Sequence, residues 1–172
     1  MRTAGIIMND IVDGDDGINV SLWFQGCEGP CGKHCKGCHN PETWDFNGGT
    51  VVDNDTVVEE VLKGLDANGV HRNLSILGGE PLHPKNAPDC AYILRKIKEQ
   101  RPDTKVYLWT GYTFDILRYC RNESIYEVLN LVNILIDGPY VEELRDVSLK
   151  MRGSKNQRVI ELENGWPKKT IC

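Results

Sequence analysis

Four of the seven cysteines in this 172-residue chain, Cys27, Cys31, Cys35 and Cys38, fall on one short stretch, while Cys90, Cys120 and Cys172 are scattered. Thiolates are soft ligands, and clustered cysteines in a chain with no export signal point to a bound metal. Structural zinc takes four tetrahedral ligands, usually from two well-separated pairs. No second Cys or His pair lies downstream to complete such a site. Iron–sulfur clusters are held by closely spaced thiolates on one loop. Cys31, Cys35 and Cys38 have C-x3-C-x2-C spacing, which differs from the ferredoxin run. Three thiolates on a four-iron cluster leave one iron without a protein ligand. Such an open position can take a substrate, as it does at a catalytic zinc ion. The competing reading is a four-cysteine zinc knuckle that uses Cys27. Spacing selects Cys31 as the first ligand and leaves Cys27 as a free thiol, a packed one or an alternate ligand.

Two further segments carry chemistry. Gly78 and Gly79 allow a ligand close to the main chain, and the carboxylate of Glu80 can accept a hydrogen bond from an ammonium group. Alone, such a tripeptide is only a turn; here it follows an apolar run, about 40 residues after the cysteines. Asp137 ends the apolar run that starts at Val132. It either caps the Gly138-Pro139 turn or contacts a ligand. Trp109 and Tyr112 read as core or rim aromatics. His34, His39, His71 and His83 lack helical metal-pair spacing and are not read as metal ligands.

These residues need elements to hold them. Strands are expected at Asn19–Gln25, Asn73–Leu77, Lys105–Trp109 and Val132–Ile136, with a last one at Arg158–Leu162. A capping box at Thr56–Glu59 opens a helix with Val57, Val58, Val61, Leu62 and Leu65 on its apolar positions, stopped by Asn68-Gly69. Pro88 suits a helix first turn, with Cys90, Leu94 and Ile97 on one face and a stop before Pro102. Two helical pieces follow, at about 113–120 and 124–130, the second opened by Ser124–Glu127. Strands alternating with helices argue for α/β architecture with parallel strands. A full barrel needs about 250 residues, so the expectation is a partial (β/α) barrel of parallel strands or an open sheet, in a single domain spanning residues 1–172. Each unusual segment sits at the carboxyl end of a strand, the edge that carries active sites in such folds.

Composition narrows the partners. With 40% hydrophobic and 26% charged residues, the chain reads as an ordinary globular protein. The net charge of −5, without a dense Lys/Arg cluster, disfavours nucleic acid. No apolar run has the length of a membrane span. The N-terminus lacks a signal-peptide pattern, so the expected location is the cytoplasm.

The chain strings together Cys38-His39-Asn40-Pro41-Glu42-Thr43-Trp44, Gly78–Pro84, Trp109–Tyr112, Asp137–Tyr140 and Arg152–Arg158. It thereby resembles the radical S-adenosylmethionine (SAM) superfamily, and within it the activating proteins of anaerobic (class III) ribonucleoside-triphosphate reductases. The likeness runs from about residue 5 to about 162. It implies a radical SAM fold and a [4Fe–4S] cluster on Cys31, Cys35 and Cys38. By the same resemblance Gly78, Gly79 and Glu80 hold the methionyl amino group of SAM, and Gly37, Cys38, His39 and Asn40 lie beside its adenine; the ligand-contact reading of Asp137, beside its turn-capping one, places it at the ribose or sulfonium region of SAM. The implied reaction is reductive cleavage of SAM to methionine and a 5′-deoxyadenosyl radical, which abstracts a Cα hydrogen from one glycine of the reductase. A flavodoxin-type protein is the implied electron donor. The rival readings are an activase of another glycyl radical enzyme, of the pyruvate formate-lyase type, and a non-catalytic metal-binding protein.

Overall fold

The computed structural model describes residues 1–172. Its centre is four strands: β2 (Ile18–Phe24), β4 (Arg72–Gly78), β5 (Val106–Trp109) and β6 (Ile134–Asp137). They pair in parallel in that order, from Ile18 opposite Arg72 to Trp109 opposite Ile136. The connections carry α1 (Asn54–Leu65), α2 (Ala87–Gln100), and the successive helices α3 (Phe114–Tyr119) and α4 (Glu123–Leu131). These are βαβ units, and they bring the carboxyl ends of the four strands to one edge.

The flanks of the sheet differ from the sequence expectation. Strand β1 (Arg2–Asp10) runs antiparallel to β2 and carries the two-residue β3 (Thr50–Val51), while β7 (Arg158–Glu163) and β8 (Trp166–Thr170) add an antiparallel hairpin beside β6. The result is an open eight-stranded mixed sheet, β3-β1-β2-β4-β5-β6-β7-β8, in place of an array of parallel strands alone. Strand β1 escapes a period-two reading because its pairing with β2 shifts register twice, between Thr3 and Gly5 and between Ile7 and Asp10.

The two faces of the sheet do different work. Val20, Leu22, Phe24, Leu74, Ile76, Val106, Leu108 and Leu135 point to the helical side and pack with Val57, Val61, Ile93, Leu94, Ile97, Val128 and Leu129. The alternate residues Tyr107, Ile134, Ile136 and Val159 form a small second cluster on the other face, against Trp109 and Met151. Helix starts also differ from the expected boxes. Asp53 caps α1, its carboxylate accepting from Asp55 N and Thr56 N at 3.0 and 3.4 Å, one turn before Thr56. Asn122, not Ser124, caps α4 through Ile125 N at 3.2 Å. Both earlier residues are good caps and need no glutamate three positions on. Pro88 stands in the first turn of α2, as expected. No helix is long and apolar enough to cross a membrane.

Candidate functional site

A cavity of about 560 Å³ opens at the carboxyl edge of the parallel strands. Every post-strand segment contributes to its wall: Cys27, Cys35 and Cys38 after β2, Gly78 to Glu80 at the end of β4, Trp109 to Gly111 after β5, and Gly138 and Tyr140 after β6. A separate recess of about 300 Å³ lies at the amino ends of β4 and β5, among Asp66, His71 and Arg101, and contains none of these groups.

The β4 end of the site is tightly built. Gly79 lies so close to the β2 exit that a Cβ there would collide with Gly26 O. Gly79 N donates to Phe24 O at 2.8 Å and Glu80 N to Gly26 O at 2.9 Å. Glu80 is 2% exposed. One oxygen accepts from Leu82 N at 3.0 Å and Thr110 Oγ1 at 2.8 Å, and the other from Gly111 N at 2.7 Å. Burial pushes its carboxyl up to about 7 against those hydrogen bonds, which hold it down. Glu80 therefore ties β4 to β5 as well as facing the cavity. Asn86, which belongs to no sequence motif, adds a second tie: its amide donates to Glu80 O at 2.9 Å and to Gln25 O and Gly26 O at 3.1 and 3.3 Å.

The cysteine segment is more open. Cys35 and Cys38 end a tight turn in which Cys38 N donates to Cys35 O at 3.2 Å. Gly37 in that turn has φ +73, and a Cβ there would strike the Glu142 carboxylate. Both thiols face the cavity, with His39 and Asn40 beside them, whereas Gly37 lies under Glu142 and Tyr140 and off the wall. Burial pushes Cys27 up to about 11; Gly29 N, which donates to its sulfur at 3.3 Å, favours the thiolate, and Glu80, Cys35 and Cys38 oppose it. Burial also raises Cys35, against the main-chain amide of Tyr140. Cys31 is exposed and does not line the cavity.

Asp137 lies behind the wall and is fully buried. Its carboxylate accepts from Phe114 N at 2.7 Å and from Arg158 Nε and Nη2 at 2.9 and 2.5 Å, so it starts α3 and joins β6 to β7. The Arg152–Arg158 segment forms the far rim. Asn156 donates to Pro139 O at 2.7 Å, Gln157 to Gly138 O at 3.2 Å, and Arg152 Nη1 to Gln157 O at 2.7 Å. Trp109 Nε1 donates to Met151 O at 2.7 Å. Two buried donors on the cavity wall have no partner, Trp23 Nε1 and Arg152 Nε.

No three His, Cys, Asp or Glu side chains converge tightly enough to hold a single metal ion. The thiols instead stand around a cavity, and a donor set of several thiols on one loop is what an iron–sulfur cluster takes. Orphaned donors on the same wall suit a ligand rich in acceptors, such as a carboxylate or a nucleoside. The site therefore fits a cluster and a polar organic cofactor side by side.

Comparison with known proteins agrees. The family model described as "4Fe-4S single cluster domain" matches residues 12–160. The anaerobic ribonucleoside-triphosphate reductase-activating protein of Escherichia coli (strain K12) is 36% identical over 154 residues, 89% of this chain and 94% of the relative. Its namesakes in Haemophilus influenzae and in Enterobacteria phage T4 are each 33% identical, over 86% and 87% of this chain and 90% and 87% of their own. No solved structure matches.

Proposed function

This chain belongs to the family of anaerobic ribonucleoside-triphosphate reductase-activating proteins, and from that premise we propose how its residues divide the work of activation. The protein is an activating enzyme with a [4Fe–4S] cluster that cleaves SAM and generates a glycyl radical on the anaerobic reductase. When bound, the cluster supplies one electron to the sulfonium and so breaks the sulfur–C5′ bond of SAM. The observation that carries the reading is that thiols, the Gly78-Gly79-Glu80 segment and orphaned donors meet on one cavity wall at the carboxyl edge of the sheet.

Cys35 and Cys38 hold the cluster, with a third thiolate from the loop before them. Main-chain groups of Gly78 and Gly79 receive the methionyl ammonium, with Glu80 supplying negative charge behind them. His39 and Asn40 flank the adenine, and Gly37 shapes the turn that presents them. Asp137 acts from behind, holding α3 and Arg158 in place. A primary alkyl radical must not meet water, so the reductase's glycine segment covers the cavity mouth during hydrogen abstraction. A curved partial barrel within a single domain of residues 1–172 suits this arrangement, as does a flavodoxin-type donor in the reducing cytoplasm. The test is anaerobic: reconstitute with iron and sulfide, reduce, add SAM and quantify 5′-deoxyadenosine. Cleavage that needs both cluster and SAM is expected; none from cluster-loaded protein would overturn the reading.

A further inference from the structure

We propose that the third cluster ligand is Cys27 and not Cys31, so that this chain binds its cluster through Cys27, Cys35 and Cys38. This rests on the cluster reading above. Sequence spacing favours Cys31, but spacing counts residues along the chain, whereas a cluster requires sulfurs on one wall. The segment from Gly29 to Gly32 closes on itself as a β-turn, with Gly32 N donating to Gly29 O at 3.2 Å. Pro30 takes the second position, which suits its fixed φ, and Cys31 the third, at the exposed tip. The turn thus loops Cys31 out and returns the chain toward Cys35.

Cys27 stands where Cys31 does not. It lines the cavity together with Cys35 and Cys38, partly buried. Its backbone is pinned from both sides: Cys27 N donates to Trp44 O at 2.9 Å, and His34 Nε2 lies 2.8 Å from Cys27 O. The preceding Gly26 donates to Thr43 O at 2.8 Å and accepts from Glu80 N at 2.9 Å, so Cys27 is fixed directly beside the Gly78-Gly79-Glu80 segment. Gly29 N donates to its sulfur at 3.3 Å. Amide donors to cysteine sulfur are a feature of iron–sulfur sites, where they stabilise the thiolate and tune the potential. A ligand set of Cys27, Cys35 and Cys38 spans C-x7-C-x2-C, and the Gly29–Gly32 turn absorbs the added length.

The test compares iron and sulfide content and the electron paramagnetic resonance (EPR) spectrum of the reduced cluster in the wild type and in Cys27→Ala, Cys31→Ala and Cys35→Ala, all reconstituted anaerobically. Cys31→Ala is expected to load like the wild type with the same spectrum, and Cys27→Ala to fall to the level of Cys35→Ala. Loss of loading in Cys31→Ala, alone or together with Cys27→Ala, overturns the proposal, and so does full loading of Cys27→Ala. Because Cys27→Ala can disturb folding, alkylation of the wild type gives a second readout. Iodoacetamide should modify Cys31 equally in apo and loaded protein, and Cys27, more slowly than Cys31 because it is partly buried, in the apo form only. Protection of Cys31 on loading overturns the assignment. A wild type that binds no cluster sinks both this assignment and the reading beneath it. A loaded wild type that leaves SAM intact sinks only the activase reading.

Discussion

The two halves of the cavity are built in opposite ways. On one side Glu80, Asn86, Thr110 and Gly111 form a buried network in which nearly every polar atom is spoken for. On the other, residues 31–39 are mostly exposed, joined by two tight turns and by an exposed His34 ring stacked on Trp44 with centroids 3.9 Å apart. The network completes its hydrogen bonds within the protein, without any cofactor. The cysteine loop has little apolar burial of its own, and ligation is the interaction that completes it, since metal-binding free energy is also ordering free energy. Under the proposed function this becomes a division of labour: the organic cofactor would dock on preorganised backbone, and the inorganic one would organise its own loop.

The comparison breaks most visibly at the ligands. Cys38→Ala should abolish cluster loading and SAM cleavage while leaving the apo protein's melting temperature within about 2 °C, because Cys38 lies outside the apolar core. Iron analysis and a thermal melt of the apo form check both halves. Glu80→Ala should do the reverse to stability. It strands Leu82 N, Gly111 N and Thr110 Oγ1 in a buried place, at a cost of about 3 kcal/mol, read as a fall in melting temperature of roughly 6–12 °C. Asn86→Ala removes the clamp between the β2 and β4 exits and should cost about 1–2 kcal/mol by denaturant titration. The smallest effect belongs to the loop: His34→Ala should change apo stability by less than about 0.5 kcal/mol.

The pH dependence sharpens the same contrast. Burial holds Glu80 at about 7, and burial with the neighbouring Asp10 holds Asp13, also on the cavity wall, at about 7. Both folded values lie above those of the unfolded chain, so the protonated forms favour the fold. That contribution is complete below about pH 4 and is lost as pH rises through 7. Apo stability, followed by urea midpoint, should therefore decline over that window. Asp13→Asn and Glu80→Gln should each flatten the slope, and a slope unchanged in the double variant would contradict the assignment.

Much of this was legible in the chain. The four parallel strands end where their glycine and aspartate stops place them, because buried parallel strands read as continuous apolar runs. The convergence of the cysteine, Gly-Gly-Glu, Trp-Thr-Gly and Asp-Gly-Pro segments follows from topology alone. What stayed hidden depends on distance across the fold. Asn86 sits in an unremarkable loop, and only the approach of Gln25 and Glu80 gives its amide a purpose. Asp137 reads equally as a turn cap or a ligand contact, and only the fold brings Arg158, twenty-one residues on, to its carboxylate. The Gly29–Gly32 turn escapes any motif that counts residues without asking whether the chain doubles back.

The central claim is tested most directly by hydrogen transfer. The loaded, reduced protein would be mixed anaerobically with SAM and an anaerobic ribonucleoside-triphosphate reductase whose glycines carry deuterium at Cα. The account predicts 5′-deoxyadenosine bearing one deuterium, together with a glycyl radical signal on the reductase in matching amount. Unlabelled 5′-deoxyadenosine with no glycyl radical would contradict it.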